Sequence, residues 1–150
     1  TYKPIHYRYE HMEPSDLVVY YRLADFAMVS SLHDGMNLVA KEFVASQVER
    51  KGVLICSEFA GASEELDNAL LINPYDVESV ADTLKQAIEM SAEERSHRLA
   101  RLQEHVSEHN IFKWLADIFM ELDRIRDERQ DDALASIESP QSDVAEPLHP

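Results

Sequence analysis

Short continuous apolar runs alternate along the chain with helical apolar stripes. Phe26-Ala27-Met28-Val29, Gly52-Val53-Leu54-Ile55-Cys56 and Ala69-Leu70-Leu71-Ile72 are the runs, each the pattern of a strand buried on both faces. Ahead of the first, "PIHYRY" at 4–9 has strand character. Pro14-Ser15-Asp16 then opens a predicted helix whose apolar side is Leu17, Tyr20, Tyr21 and Ala24, spaced i, i+3, i+4, i+7. A helix from about Met36 to Gln47 is expected after the first run. The loop "SEFAGAS" and a short helical segment near residues 63–66 are expected after the second.

Asn73-Pro74-Tyr75-Asp76 supplies a turn and a helix cap before a stripe at Val77, Val80, Ala81, Leu84 and Ile88. Ser91-Ala92-Glu93-Glu94 matches a capping box, followed by Leu99, Leu102 and Val106 on one side. Asn110 restarts the cap for a last helix with Ile111, Trp114, Leu115, Ile118, Phe119, Leu122 and Ile125. That stripe predicts a helix packed along its length in a core or between domains, and self-association if part of it stays uncovered.

Buried strands alternating with helices predict an α/β fold: a partial Rossmann-like parallel sheet flanked by helices, because parallel neighbours need crossovers that carry those helices. About four strands are expected, few for a doubly wound sheet, so the first part of the domain is expected upstream of residue 1. The domain itself is predicted over 1–126. Residues 127–150 hold seven acids against one base, Arg129, and three of the six prolines, the composition of an acidic, disordered tail.

Composition narrows the partners. The chain of 150 residues is 45% apolar, enough for one domain, and its net charge of −15 disfavours nucleic acid and anionic membranes. No apolar run approaches the ~20 residues of a membrane helix, and the lone Cys56 lies inside a predicted strand as a buried thiol. A cytoplasmic setting is expected, with small ligands or proteins as partners.

Candidate chemistry concentrates in "SSLHDGMNLVAKE" at 30–42. One of only three glycines, Gly35, sits there between Asp34 and Glu42, just beyond a predicted strand and at a predicted helix start. In an open α/β sheet ligands bind beyond the carboxyl ends of the strands, where helix N-termini face outward. Without a Cβ, Gly35 would let the backbone turn sharply and approach a ligand, and the N–H groups of Met36, Asn37, Leu38 and Val39 would cradle phosphate. Asp34 and Glu42 would accept hydrogen bonds from sugar hydroxyls on either side of a diphosphate. The spacing is equally compatible with Asp34 as a plain helix cap and Glu42 as a solvated surface acid.

"DGMNLVAKE" closely resembles the nucleotide-sugar motif of the trehalose-6-phosphate synthase family, retaining glycosyltransferases of the GT-B fold (glycosyltransferase family 20). The resemblance extends through Asp16–Asp25, "GVLICSEFAGASEEL" at 52–66, "ALLINPYD" at 69–76 and the Trp114 helix, covering roughly residues 4–126. It implies that Asp34 contacts the donor glucose, the backbone from Gly35 to Val39 holds sugar and diphosphate, and Glu42 binds the ribose. It implies the C-terminal, donor-binding part of an enzyme moving glucose from UDP-glucose to glucose 6-phosphate, with no metal and no other cofactor. The diphosphate-binding Arg and Lys and the acceptor domain would then lie upstream, leaving this chain inactive alone. The family's Thr-Pro-Leu-Arg before the Asp-Gly is replaced by Ser30-Ser31-Leu32-His33, with His33 read as a surface or supporting residue.

A related member with another acceptor, such as glucosylglycerol-phosphate synthase, and a noncatalytic relative that only binds nucleotide sugar or a protein fit the same residues. Gly61 reads as a structural turn beside the site. His105-Val106-Ser107-Glu108-His109 spells the zinc-peptidase pattern H-x-x-E-H, but falls at the end of a capped helix and is not expected to bind metal.

Overall fold

The computed structural model describes residues 2–138, with side chains to residue 130. Two units divide the chain, one ending at Glu108 and the other beginning at His109. The first contains α1 (Pro14–Leu23), β1 (Phe26–Val29), α2 (Leu38–Ser46), β2 (Val53–Ser57), α3 (Ala62–Glu65), β3 (Leu70–Ile72), α4 (Val77–Glu89) and α5 (Ala92–Glu108).

The three strands form a parallel sheet in the order β1-β2-β3, with Phe26 opposite Val53 and Ile55 opposite Leu70. β2 is central and buried at every position, as its unbroken apolar run requires. Its side chains alternate between two cores. Leu54 and Cys56 join Val29, Ala40, Phe43, Val44, Leu99 and Leu102 beneath α2 and α5. Val53 and Ile55 join Leu70, Ile72 and Ala87 beneath α4. The α/β layering is therefore as the alternation of runs and stripes predicts.

Several local expectations are corrected. Residues 4–9 form no strand: their backbone has no ladder neighbour among the described residues, and Tyr7 and Tyr9 stand in solvent. Among the described residues the sheet thus has three strands where about four were expected. In α4 the stripe that packs is Val80, Leu84 and Ala87, while Val77 and Ile88 are exposed. The helix meets the sheet along a face rotated from the one its largest apolar residues suggest. The Asp76 cap and the Ser91 cap both form, accepting from the N–H groups of Ser79 and Glu94 at 3.1 Å. Leu99 and Leu102 are buried and Val106 packs against them, as the third stripe predicts.

In the second unit α6 (Ile111–Glu138) is the one element described, capped by Asn110 Oδ1, which accepts from the N–H groups of Phe112 and Lys113. The helix continues beyond residue 126 into the acidic segment. Its exposed turns are laced by pairs such as Lys113 with Asp117 and Arg124 with Glu121 and Glu128. The remainder of the predicted tail, 139–150, lies outside the described residues. No helix among the described residues is long and apolar enough to cross a membrane.

Candidate functional site

Two loops leave the carboxyl ends of neighbouring strands and fasten to each other. The loop after β1 and the loop after β2 share a parallel bridge between Asp34 and Ala60. Asp34 N–H donates to the Phe59 carbonyl at 3.3 Å, and Gly61 N–H and Ala62 N–H donate back to the carbonyls of Asp34 and Met36 at 2.9 and 2.6 Å. Gly61 is therefore more than a turn. A Cβ there would lie 2.3 Å from the Gly35 carbonyl oxygen, backbone that cannot swing aside, so only glycine lets the two loops close.

Gly35 itself differs from expectation. No glycine has positive φ, and a Cβ on Gly35 would meet nothing within 4 Å. The left-handed residue of this loop is Asn37, φ 72°, and it is Asn37 that caps α2 by accepting from Ala40 N–H at 2.9 Å. The helix consequently starts at Leu38, not Met36. Asparagine tolerates the left-handed region because its short amide bonds locally, and here its Nδ2 donates to Asp34 Oδ2 at 2.9 Å and Ser31 Oγ at 3.4 Å.

Asp34 is thus not the helix cap. Its other oxygen accepts from Met36 N–H at 3.2 Å, and this bond, followed by the Asn37 amide, holds the carboxyl below its ordinary value. The nearby His33, exposed to solvent, adds a small share in the same direction. Asp34 is kept ionised, an acceptor at the mouth of the loop. A second consequence reaches the core: burial, and then the charge of Asp34, push the Cys56 thiol up, so Cys56 stays a neutral, packed group.

Of the predicted cradle, Met36 N–H is used internally by Asp34, and the Asn37 N–H is turned to the same carboxylate. Leu38 and Val39, at the first two positions of α2, carry N–H groups with no acceptor inside the helix. Both side chains are exposed, as is Met36. Glu42 lies on the exposed side of α2, one turn on from Leu38 and about 6 Å along the axis. The structure therefore brings Asp34, Gly35, Met36, Asn37, Leu38, Val39 and Glu42 together on one loop and helix start beyond β1. Lys41, in the same stretch, points elsewhere and pairs with Glu65 at 2.6 Å.

Two contacts beside the candidate site escape the sequence. Tyr21, an apparent member of α1's apolar face, donates its hydroxyl to Glu42 Oε2 at 3.1 Å. Phe59 and Tyr75 bring the loops after β2 and β3 together in an edge-on ring pair, centroids 5.9 Å apart. A tyrosine at a helical i+4 position gives no sign of its hydroxyl's partner, whereas the scarcity of glycine does point at Gly61. The H-x-x-E-H stretch gives His105 a Glu65 neighbour at 3.6 Å. Among the described residues no three His, Cys, Asp or Glu side chains are grouped to hold a metal ion.

The sequence model of Glycosyltransferase family 20 matches residues 1–124. Curated relatives include an α,α-trehalose-phosphate synthase [UDP-forming] from Dictyostelium discoideum, 41% identical over 82% of this chain and 17% of its own length. A trehalose-6-phosphate synthase from Enterobacter sp. is 43% identical over 81% of this chain and 26% of its own. The chain thus spans about a sixth to a quarter of these relatives. Solved structures agree in fold. The E. coli trehalose-6-phosphate protein bound with UDP-2-fluoro glucose superposes with a TM-score of 0.76 at 40% identity, over 81% of this chain and 27% of that one. The UDP-forming synthase from Burkholderia xenovorans in complex with glucose-6-phosphate gives 0.77 at 39%, over 81% and 27%.

Proposed function

The chain belongs to glycosyltransferase family 20, and we propose that it is the donor-binding part of a retaining glucosyltransferase of the GT-B fold. In this reading glucose moves from UDP-glucose to glucose 6-phosphate, forming trehalose 6-phosphate in the cytoplasm. The observation that carries it is the alignment, on one loop and helix start, of an ionised Asp34, the first-turn N–H groups of α2 and the Glu42 carboxylate. Hydroxyl acceptors at both ends and amide donors between them match glucose, diphosphate and ribose in sequence.

The chemistry breaks the bond from glucose C1 to the diphosphate oxygen and forms one to an acceptor hydroxyl on the same face. The departing diphosphate takes the acceptor's proton. What the protein must supply is stabilisation of the charge growing on that leaving group. The N-terminus of α2 contributes through its dipole and the N–H groups of Leu38 and Val39. Lys41 is already committed to Glu65, so further cations on the diphosphate come from outside this loop. The reading calls for no metal or other cofactor.

Calorimetric titration of the chain with UDP and UDP-glucose tests this. Weak binding of both, abolished in Glu42→Ala, is the expected result, and binding that survives the substitution unchanged would refute the site. Glucosyl transfer by the 150-residue chain alone is expected to be undetectable. Thermal unfolding with and without UDP is a second readout, because a ligand of the folded state alone raises the midpoint.

A further inference from the structure

We propose that Tyr21 is a positioning residue of the donor site, its phenol holding the Glu42 carboxylate in register for the ribose diol of a nucleoside diphosphate. This rests on the donor-site reading above. Tyr21 stands on α1 and Glu42 on α2, and Tyr21 Oη donates to Glu42 Oε2 at 3.1 Å. The tyrosine is fixed at both its other parts. Its ring meets the fully buried Phe43 edge-on, centroids 6.4 Å apart and planes at 86°.

Its backbone carbonyl accepts from the side-chain amide of Gln47, which is 2% exposed. That amide also donates to the Ala24 carbonyl at 3.1 Å, and its oxygen accepts from Gly52 N–H at 3.0 Å. A buried, fully engaged amide thus ties the end of α1 to the end of α2 and the start of β2. Tyr21, half-buried, is thus held through its ring and its carbonyl while its hydroxyl meets Glu42.

Phenylalanine would fill the same space, so the hydroxyl is not needed for packing. Burial, then the Glu42 hydrogen bond and charge, push the phenol up to about 12, which keeps it a donor across the whole neutral range. An exposed glutamate on a helix otherwise samples several rotamers, and ordering it on ligand binding costs entropy. Anchoring Oε2 to a fixed phenol orders the carboxylate in advance and leaves Oε1 to accept from vicinal hydroxyls.

Calorimetry with UDP and with 2′,3′-dideoxyuridine diphosphate on the chain and its Tyr21→Phe variant tests the role. UDP should bind the unaltered chain more tightly than the dideoxy compound. Tyr21→Phe should weaken UDP about five- to tenfold, the effect of one ordinary, partly solvated hydrogen bond, and leave the dideoxy compound unchanged. Equal weakening of both, or of neither, would overturn the proposal, since a merely structural tyrosine would not discriminate by the diol.

A ligand-free measurement separates this from the donor-site reading. The side-chain carboxyl 13C resonance of Glu42 should move in Tyr21→Phe and stay in place in Tyr20→Phe. An unmoved resonance in Tyr21→Phe defeats the pairing even if UDP binds. Failure of the unaltered chain to bind either nucleotide defeats the donor-site reading itself, and the role proposed for Tyr21 falls with it.

Discussion

Helices α2 and α4 both begin beyond the carboxyl ends of strands, and each is capped by a side-chain oxygen. At α4 the cap is local. Asp76 has ordinary negative φ, accepts from Ser79 N–H, and is followed by the exposed Val77. At α2 the cap is one member of a closed set: Asn37 in left-handed backbone, the Asp34 carboxylate it holds, and Gly61 of the next loop locking the peptide between them. A cap that only ends a helix needs one residue. One that, on the proposed reading, also presents N–H groups and a carboxylate to a ligand is held from several sides, and that is where strain collects.

The sharpest way to break the contrast is Gly61→Ala. Its Cβ would collide with the Gly35 carbonyl, which is backbone and cannot rotate away, and one loop must retreat. We expect a loss of ~3 kcal/mol in denaturant unfolding, at the upper end for overpacking, together with loss of UDP binding. An alanine accepted with less than ~1 kcal/mol would show that the loops are not locked.

Next in size is Asn37→Ala, which removes the cap and leaves a Cβ-bearing residue at φ 72° without its compensating amide. About 2 kcal/mol is expected, ~1 for the cap and ~1 for the left-handed backbone. Asn37→Gly should cost less than Asn37→Ala in the same measurement, because glycine is at ease there. Asp76→Ala should cost ~1 kcal/mol or less and leave UDP binding untouched. If the two caps cost the same and neither alters binding, the difference drawn between them is void.

The same contrast shows what can be read from sequence. The Asp76 and Ser91 caps, the runs of β1 to β3 and the Leu99–Leu102 stripe are determined by residues within one turn or one strand of each other, and all are legible. The start of α2 is not, because Asn37 adopts its backbone only with Asp34 bonded to it and with Gly61, from beyond β2, packed on Gly35. Residues 4–9 mislead for the opposite reason: a strand pattern is only half of a strand, and the other half is a neighbour. The motif's residues are all legible as a set, but their division of labour is not. The sequence puts the turn at Gly35 where Asn37 makes it, leaves open at Asp34 a cap that Asn37 provides, and assigns Tyr21 nothing beyond packing.

The smallest expected effect isolates Asp34's hold on its loop from the ligand contact proposed for it. Its carboxyl sits below the ordinary value chiefly through Met36 N–H and then the Asn37 amide. A group whose folded value is depressed binds protons more readily once unfolded, so its contribution is present above the unfolded value of 3.8 and is lost as pH falls through the folded one. Acidification below about pH 4 should therefore destabilise the unaltered chain more steeply than Asp34→Asn, whose side chain does not titrate. Because the carboxylate is open to solvent, the difference should be slight and should shrink in high salt. Parallel stability–pH curves for the two chains would mean that the Met36 and Asn37 bonds do not hold Asp34 in solution, leaving Asn37 and Gly61 to shape the loop alone.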